Sequence, residues 1–372
     1  MYYFDHSATT PIHPDVISLM HSIQKEVYGN PSSIYSEGRK AKSIIENARN
    51  QIANAINCES KKVFFTSGGT ESNNQVLWSL ITNQKFHVIS DSIEHPAIIK
   101  VLEKLKNHGL EYDLTSVNDI GRISIPEIKK SLKIDTGLIT VMLANNEIGT
   151  IQPIREIVDL VKDDDILVHS DAVHSLGKMK VDIAKLGIDF LSLSAHKFYG
   201  PKGIGVLYVK NKETLSPLII GGGQEGGLRA GTEDVASIAG LGLAAEIATK
   251  NLNENVKKIL KLENHFKDEL ENIFPAAIFN GDKDNKLPGL INISFPGFKS
   301  DILMIKLDRA NISVSNGSAC GSGDVKPSPV LKAMKIKDEI NISTLRFSFG
   351  MSNSIAEVNY LLEELSKILK DQ

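Results

Sequence analysis

The sequence predicts an α/β fold with a mostly parallel central sheet and a second, smaller α+β domain. Three observations support this class. Amphipathic helical stretches alternate with short apolar runs along the first part of the chain. The apolar runs are continuous, as in strands that helices cover on both faces. Beyond the last of these runs the pattern changes to a long polar helix, which indicates a second unit.

The first part of the chain reads as a series of βα units. Helical periodicity predicts helices at Pro14–Glu26, Arg39–Ala55, Glu71–Thr82 and Pro96–His108. Buried strands are predicted at Lys62–Thr66, Phe86–Ser90, Gly137–Leu143, Ile166–His169, Phe190–Leu193 and Gly205–Val209. Alternation of this kind is typical of parallel sheets, whose strands are joined by crossover helices.

The smaller unit is predicted to begin near residue 250. One long helix, rich in Lys, Glu and Asn, is expected from Ala236 to Ile273, followed by strands at Leu290–Phe295 and Ile312–Val314. A chain of 372 residues is too long for one simple core, which fits this division.

Composition argues against several classes of function. Apolar residues make up 41% and charged residues 23%, and the net charge of -3 gives no footprint for nucleic acid or a membrane surface. The two cysteines, Cys58 and Cys320, are far apart and lack metal spacing, so no metal site or disulfide framework is expected. No signal-like amino terminus or long apolar run occurs, and we expect a cytoplasmic protein.

One lysine has an unusual setting. Lys197 follows the apolar run Ile188–Leu193 and lies in the small and polar segment 194–205, SAHKFYGPKGIG. Burying a lysine is costly unless its charge is paired or its pKa falls, and a lowered pKa makes the amine a nucleophile for carbonyl groups. The position therefore predicts a Schiff-base lysine and a site for pyridoxal phosphate.

A segment that could hold phosphate lies at Thr66–Asn74, TSGGTESNN, after a predicted strand and at the start of a helix. Glycines let the backbone approach a ligand closely, and the free amides of a helix start attract phosphate. Thr70 adds a hydroxyl. A capping turn without a ligand would give the same pattern, and the segment matches neither a Walker loop nor the dinucleotide fingerprint.

Two further residues lie at predicted strand ends, where ligands of open α/β sheets bind. Asp171 could keep a pyridine nitrogen protonated, and so make the ring an electron sink. His95 could stack on that ring or move protons. Taken singly, Asp171 fits a loop cap and His95 a structural histidine equally well.

These motifs occur in one order: Gly68–Thr70, His95, Asn145–Gly149, Asp171, Ser194–Lys197 and Gly221–Thr232. In this order the chain resembles the cysteine desulfurases, the NifS- and IscS-like members of the class V aminotransferase group. The resemblance runs from Tyr3–Pro11 and Gly29–Ser33 to Ser343–Gly350. It implies a fold-type I pyridoxal phosphate enzyme with a seven-stranded sheet, a large domain at 13–255, and a small domain at 1–12 and 256–372.

The resemblance implies roles around the cofactor ring. Lys197 would form the Schiff base, Asp171 would pair with the pyridine nitrogen, and His95 would stack on the ring and help move protons. Asn146 would contact the cofactor or the substrate carboxylate. His174 stands where the family usually has a glutamine that donates to the phenolic oxygen; a neutral imidazole donates the same bond, whereas a charged one would stabilise the phenolate more strongly.

The resemblance also implies how the phosphate is held. Gly69, Thr70, Ser194 and His196 would bind it, and Thr232 would reach it from the second subunit of a homodimer. In a second departure from the family pattern, Tyr35 stands where a histidine is common, and we expect no catalytic loss from it.

Substrate binding and sulfur chemistry are implied by two residues of the small domain. Arg346 would clamp the substrate carboxylate, since a planar guanidinium suits bidentate binding; a surface ion pair is the alternative. Cys320 lies in the glycine-rich segment Val314–Leu331 and looks like the desulfurase nucleophile, although a buried structural cysteine would also fit the residue alone. It would take sulfur from L-cysteine as a persulfide, release L-alanine, and pass the sulfur to an acceptor.

Three other functions compete with a desulfurase. A selenocysteine lyase would share the scaffold, and a class V aminotransferase would need Lys197 but not Cys320. A non-catalytic scaffold that binds sulfur-trafficking partners would need neither. The chain ends at Gln372 without the longer tail of housekeeping desulfurases, so the acceptor, in iron-sulfur cluster assembly or another pathway, is left open.

Overall fold

A computed structural model describes residues 1–316 and 326–370. The strands are β1 Tyr2–Tyr3, β2 Val63–Thr66, β3 His87–Asp91, β4 Glu111–Thr115, β5 Thr136–Thr140, β6 Leu167–Asp171, β7 Phe190–Ser194, β8 Gly205–Val209, β9 Ile278–Asn280, β10 Leu290–Ser294, β11 Ile312–Ser313 and β12 Thr344–Ser348. The helices are α1 Pro14–Glu26, α2 Ser36–Ile56, α3 Gly69–Thr82, α4 Pro96–Leu105, α5 Ile125–Ser131, α6 Ile154–Leu160, α7 Ile183–Leu186, α8 Val235–Lys250, α9 Leu252–Ile273, α10 Ser300–Arg309, α11 Pro329–Ala333, α12 Asp338–Asn341 and α13 Ile355–Lys370.

The seven strands β2 to β8 form the central sheet, in the order β2-β8-β7-β6-β5-β3-β4. Strand β8 runs antiparallel to both of its neighbours, whereas the other pairs are parallel. The residues of β2, β3, β5, β7 and β8 are all buried, as expected for strands covered on both faces. This confirms the predicted α/β class with a mostly parallel seven-stranded sheet.

A second hydrophobic core lies around a three-stranded antiparallel sheet of order β12-β10-β9. Fully buried aromatic residues form its centre, including Phe266 of α9, Phe347 of β12 and Phe295, which directly follows β10. Helices α9, α10 and α13 contribute its apolar faces. The chain therefore builds two cores, while the domain boundaries given above stay a prediction.

The prediction of one long helix from Ala236 to Ile273 is wrong. The chain forms two helices there, α8 and α9, with a break at Asn251. Asn251 has φ -109° and ψ 22°, outside the helical region. The two helices also face different surroundings: α8 packs against α1 and α2 in the large core, and α9 packs in the second core. Strand β4 was not predicted, since this edge strand is mostly polar and only partly buried.

The amino-terminal segment, residues 2–10, connects the two cores. Strand β1 pairs with β11, and Asp5 forms a parallel bridge to Ser348. A few residues on, Thr10 donates from its backbone N–H to the carbonyl of His196, over 2.9 Å. The segment therefore runs from the small sheet to the carboxyl end of β7, where the candidate site lies. In the parts of the chain that the structure describes, no helix has the length and apolar character needed to cross a membrane.

Candidate active site

A cavity of about 240 Å³ lies at the carboxyl ends of β6 and β7 and the start of α3. Its walls bring together nine of the residues predicted from the sequence: Gly69, Thr70, His95, Asn146, Asp171, His174, Ser194, His196 and Lys197. Crevices at this edge are the usual ligand sites of open α/β sheets.

The start of α3 forms one wall of the cavity. Gly68 has φ 152°, which L side chains rarely adopt, and a Cβ atom on Gly69 would lie 2.5 Å from Cγ2 of Val173. Both positions therefore require glycine, and the backbone amides at the helix start stay accessible beside Thr70. Such a start attracts a phosphate group through its N–H donors and the helix dipole.

Asp171, the last residue of β6, is buried, and each of its oxygens accepts one hydrogen bond. Its Oδ2 accepts from Nδ2 of Asn73 over 2.7 Å, and its Oδ1 accepts from the N–H of Val173 over 3.0 Å. Both donors are neutral, so the carboxylate can still pair with a cation in the cavity. Asn73 was not predicted as a site residue, although it belongs to the phosphate segment, and its Oδ1 has no partner.

His95 caps helix α4, and this contact fixes its tautomer. Its Nδ1 accepts a hydrogen bond from the N–H of Ala97 over 3.1 Å. A neutral imidazole with an acceptor at Nδ1 carries its proton on Nε2. Burial is the main reason why the pKa of His95 is lowered, with Lys197 acting in the same direction and Asp171 against it.

Lys197 is held by the amino-terminal segment. Its Nζ donates to the carbonyls of Ser7 over 2.7 Å and Ala8 over 2.8 Å. Burial and the charge of Arg346 lower its pKa to about 8, against the opposing effect of Asp5 and Asp171. A substantial fraction of Lys197 is therefore neutral, and nucleophilic, near physiological pH.

Two other histidines line the cavity in neutral form. Burial, with the charges of Lys197 and Lys178, lowers the pKa of His174 well below its usual value. Burial and the nearby lysines Lys197 and Lys202 lower the pKa of His196 to about 4, and its Nδ1 lies 3.1 Å from Oγ1 of Thr9. Both rings can therefore act as neutral donors to an anionic ligand.

Arg346 enters the site region from β12 and is almost fully buried. Its two terminal nitrogens donate to the carbonyl of Asn146 and to Oδ1 of Asp5, each over 2.9 Å. Nε has no partner. The guanidinium thus keeps one free donor at a buried position, and Asp5, a residue that sequence reasoning missed, holds it in place.

One predicted site residue lies elsewhere, and another falls outside the described residues. Thr232 is exposed and does not line the cavity of its own chain. Cys320 lies outside the described residues. Ser7 and Ala8, which sequence reasoning missed as partners of Lys197, belong to the Tyr3–Pro11 segment that carries the resemblance, but nothing in their residue types indicates a backbone contact with a lysine 190 residues away.

Comparisons with known proteins agree with this geometry. The family model "Aminotransferase class-V" matches residues 2–361. The protein named "Cysteine desulfurase IscS" of Dictyoglomus turgidum is 41% identical over 372 residues, 99% of this chain and 94% of its own length. A solved structure titled "NIFS-LIKE PROTEIN" superposes with a TM-score of 0.94 at 35% identity, covering 100% of this chain and 99% of that one. Another, titled "SspA in complex with cysteine", has a TM-score of 0.83 at 34% identity, covering 95% of this chain and 100% of that one.

The chain belongs to the class-V aminotransferase family, whose members depend on pyridoxal phosphate. Within that family its relatives place it among the cysteine desulfurases.

Proposed function

We propose that the chain binds pyridoxal phosphate at Lys197 and converts L-cysteine to L-alanine, with sulfur passing to Cys320 as a persulfide and then to an acceptor protein. The observation that carries this proposal is the position of Lys197. Its amine, with a pKa lowered to about 8, lies in the same cavity as Asp171 and the amide-rich start of α3. The solved relative in complex with cysteine supports the choice of substrate.

The donors and acceptors of the cavity fit this cofactor. Thr70, Ser194 and the neutral His196 would hold its phosphate together with the helix start, and His174 would donate to its phenolic oxygen. Asp171, free of any cationic partner, would pair with the pyridinium nitrogen. Bound there, pyridoxal phosphate would supply an electron sink for a carbanion at the substrate Cα.

The side chains of the chain itself would do the proton transfers. Lys197, once released by the carbonyls of Ser7 and Ala8, is a base of suitable pKa for a proton on Cα. His95 presents Nε2–H to the cavity and can give or take a proton at that atom. We assign the first transfer to Lys197, and the second, at the departing sulfur or the product carbon, to His95.

Arg346 would hold the substrate carboxylate. Its Nε and the terminal nitrogen that now donates to Asp5 would each donate to one oxygen of the substrate carboxylate. The carboxylate would share that terminal nitrogen with Asp5 or displace Asp5 from it. Asn146 lies at the same place, since its carbonyl accepts from Arg346. This arrangement orients the amino acid with its Cα toward Lys197.

The proposal extends to assembly and location. Thr232 is exposed on a glycine-rich loop and absent from its own cavity, which supports its contacting the phosphate in the neighbouring site of a homodimer. We place the protein in the cytoplasm, with an acceptor of iron-sulfur cluster assembly or another sulfur pathway as its partner.

The test replaces the proposed sulfur acceptor. Cys320→Ala should retain the visible absorbance of bound cofactor, while L-alanine formation from L-cysteine falls on the order of 100-fold or more, because no thiolate receives the sulfur. Cys58→Ala is the matched control and should keep wild-type turnover: burial raises the pKa of Cys58 to about 11, so its thiol is a poor nucleophile. Unchanged alanine release by Cys320→Ala would contradict the proposal.

A further inference from the structure

Among the described residues, several buried polar atoms near Lys197 have no hydrogen-bond partner, and five of them lie on three neighbouring segments. They are Oγ of Ser7, Nδ1 of His174, Oγ of Ser175, Nζ of Lys178 and Nε of Arg346, and we call these five residues the donor cluster. Ser7, Ser175 and Arg346 are each at most 5% exposed. Buried polar groups in folded proteins are nearly always paired, so a group of orphaned donors indicates a ligand or ordered water.

Contacts and charges show that the cluster is one place in the fold. The carbonyl of Ser7 accepts from Lys197, and Asp5, two residues earlier, holds Arg346. Lys178 lies near enough to both Lys197 and Arg346 for their charges to lower its pKa. Three segments therefore meet here: the amino-terminal segment, the loop after β6, and strand β12.

The cluster contains two basic side chains, Lys178 and Arg346. Burial and the charges of Lys197 and Arg346 lower the pKa of Lys178 to about 7. His6 packs beside it, and burial together with the charge of Lys178 lowers the pKa of His6 to about 4, so this ring is neutral. In the contacts of the described residues, the carboxylate paired with this group of cations is Asp5, through Arg346.

His174 and His95 face the same group of charges, and both have pKa values lowered chiefly by burial and by Lys197. Two further acids reach this region: Asp171 opposes the lowering of the pKa at Lys197 and His95, and Glu147 interacts with the charge of Arg346, although burial raises the pKa of Glu147. Of the three cations, Lys197 donates to backbone carbonyls and Arg346 is paired with Asp5, so Lys178 is the one whose amine has no partner among the described residues. An anion is the ligand that would satisfy both the donors and the charge.

We propose that the donor cluster is the inner half of the substrate-carboxylate site, in which Lys178 is the second cation beside Arg346 and selects ligands that carry a carboxylate. The inference rests on the proposed function, whose amino-acid substrate supplies that group. A carboxylate accepts up to four hydrogen bonds, more than the free Nε and one terminal nitrogen of Arg346 provide. Lys178 and the hydroxyls of Ser7 and Ser175 would supply the remainder.

Proton uptake should accompany carboxylate binding. Without an anion, Lys178 is mostly neutral above pH 7, and a bound carboxylate would favour its charged form. A ligand with a carboxylate should therefore bring close to one extra proton onto the protein at about pH 8, compared with a ligand that lacks it.

The experiment compares L-alanine with ethylamine, which differ only in the carboxylate, on the holoenzyme. Spectroscopic titration gives both dissociation constants, and their ratio measures carboxylate selection. Lys178→Met should reduce this ratio by at least about 10-fold, because a buried charge partner is lost. Lys180→Met, which removes an exposed lysine two residues away, should leave it at the wild-type value. An unchanged ratio in Lys178→Met would overturn the proposal, whether or not both ligands bind more weakly.

A second measurement needs no variant. Calorimetry of the wild-type holoenzyme in two buffers of different ionisation enthalpy counts the protons taken up with each ligand. L-Alanine should take up close to one proton more than ethylamine at about pH 8, and the excess should shrink toward pH 6. No excess would overturn the proposal. A different result would contradict the proposed function itself: wild-type protein that releases no L-alanine from L-cysteine.

Discussion

Both the donor cluster and the glycine-rich loop at residues 221–232 contain buried charged groups. The two regions differ in whether those groups have hydrogen-bond partners. In the loop, Glu225 is almost fully buried and each of its oxygens is paired. Oε1 accepts from Arg49, and Oε2 accepts from Arg49 and from the N–H of Phe65, each over 2.8 Å. In the donor cluster, by contrast, the amine of Lys178 has no partner in the part of the chain that the structure describes.

The difference suits two roles: the paired charges hold the loop in position, whereas the donor cluster is proposed to bind a ligand. Glu225 has φ 48°, a left-handed conformation that a non-glycine residue rarely adopts, and its bidentate pair with Arg49 offsets this strain. A fully paired carboxylate ties this part of the loop to α2 and β2. In the donor cluster Arg346 is paired with Asp5, but the amine of Lys178 lacks such a partner among the described residues, and the proposal assigns that place to a bound carboxylate.

The largest effect should come from breaking the paired region. Glu225→Ala would leave the largely buried Arg49 with only the exposed Glu46 as its charge partner, and we expect a loss of about 3 kcal/mol in the free energy of unfolding. Urea denaturation at fixed protein concentration measures it. Glu46→Ala removes the exposed partner of the same arginine and should cost less than about 1 kcal/mol. Equal losses in the two variants would show that Glu225 is not the anchor.

A substitution in the donor cluster should raise the free energy of unfolding instead of lowering it. Between pH 7 and 10.5, Lys178 holds fewer protons in the folded protein than in the unfolded chain, so its cost to stability is full below pH 7 and fades as the pH rises. Lys178→Met removes that cost. Without amino acid present, the variant should be more stable than the wild type at about pH 6, by roughly 2 kcal/mol.

The advantage of Lys178→Met should shrink when both proteins are denatured at about pH 9, and Lys180→Met should show no such trend. A variant less stable than the wild type at pH 6 would mean that the amine has a stabilising partner, and would remove the contrast between the two regions.

Much of the fold could be predicted from the sequence because its signals are local. Continuous apolar runs identify buried strands such as β8, whose predicted and observed bounds coincide at Gly205–Val209. The convergence of Asp171 and Lys197 also follows from local signals, since the carboxyl ends of β6 and β7 lie side by side in a parallel sheet.

What could not be predicted depends on contacts between distant segments. Nothing in the residues around Lys178 shows that its amine lies near Arg346, because that approach requires β12 to reach the loop after β6. The break at Asn251 is similar: a polar residue inside a helical pattern becomes a boundary only when the two halves pack in different cores.

The smallest effect should come from the second anchor of the glycine-rich loop. Nε of Arg229 donates to Oε1 of Glu71 over 3.0 Å, and Oε2 of Glu71 accepts from the N–H of Ser67 over 2.8 Å. Burial raises the pKa of Glu71, but these hydrogen bonds outweigh it and the pKa is lowered. The pair therefore stabilises the protein above the unfolded pKa of Glu71, and the contribution is lost as the pH falls through its folded pKa.

Arg229→Leu should consequently cost about 1 kcal/mol at pH 7, since the pair is partly exposed, and should make the loss of stability toward pH 3 shallower than in the wild type. Thermal denaturation across this range measures both. A loss as large as that of Glu225→Ala would mean that the loop is held equally at two points. The small loss expected would leave Glu225 as the main anchor of the loop, since the pair of Arg229 with Glu71 is more exposed than the pair of Arg49 with Glu225.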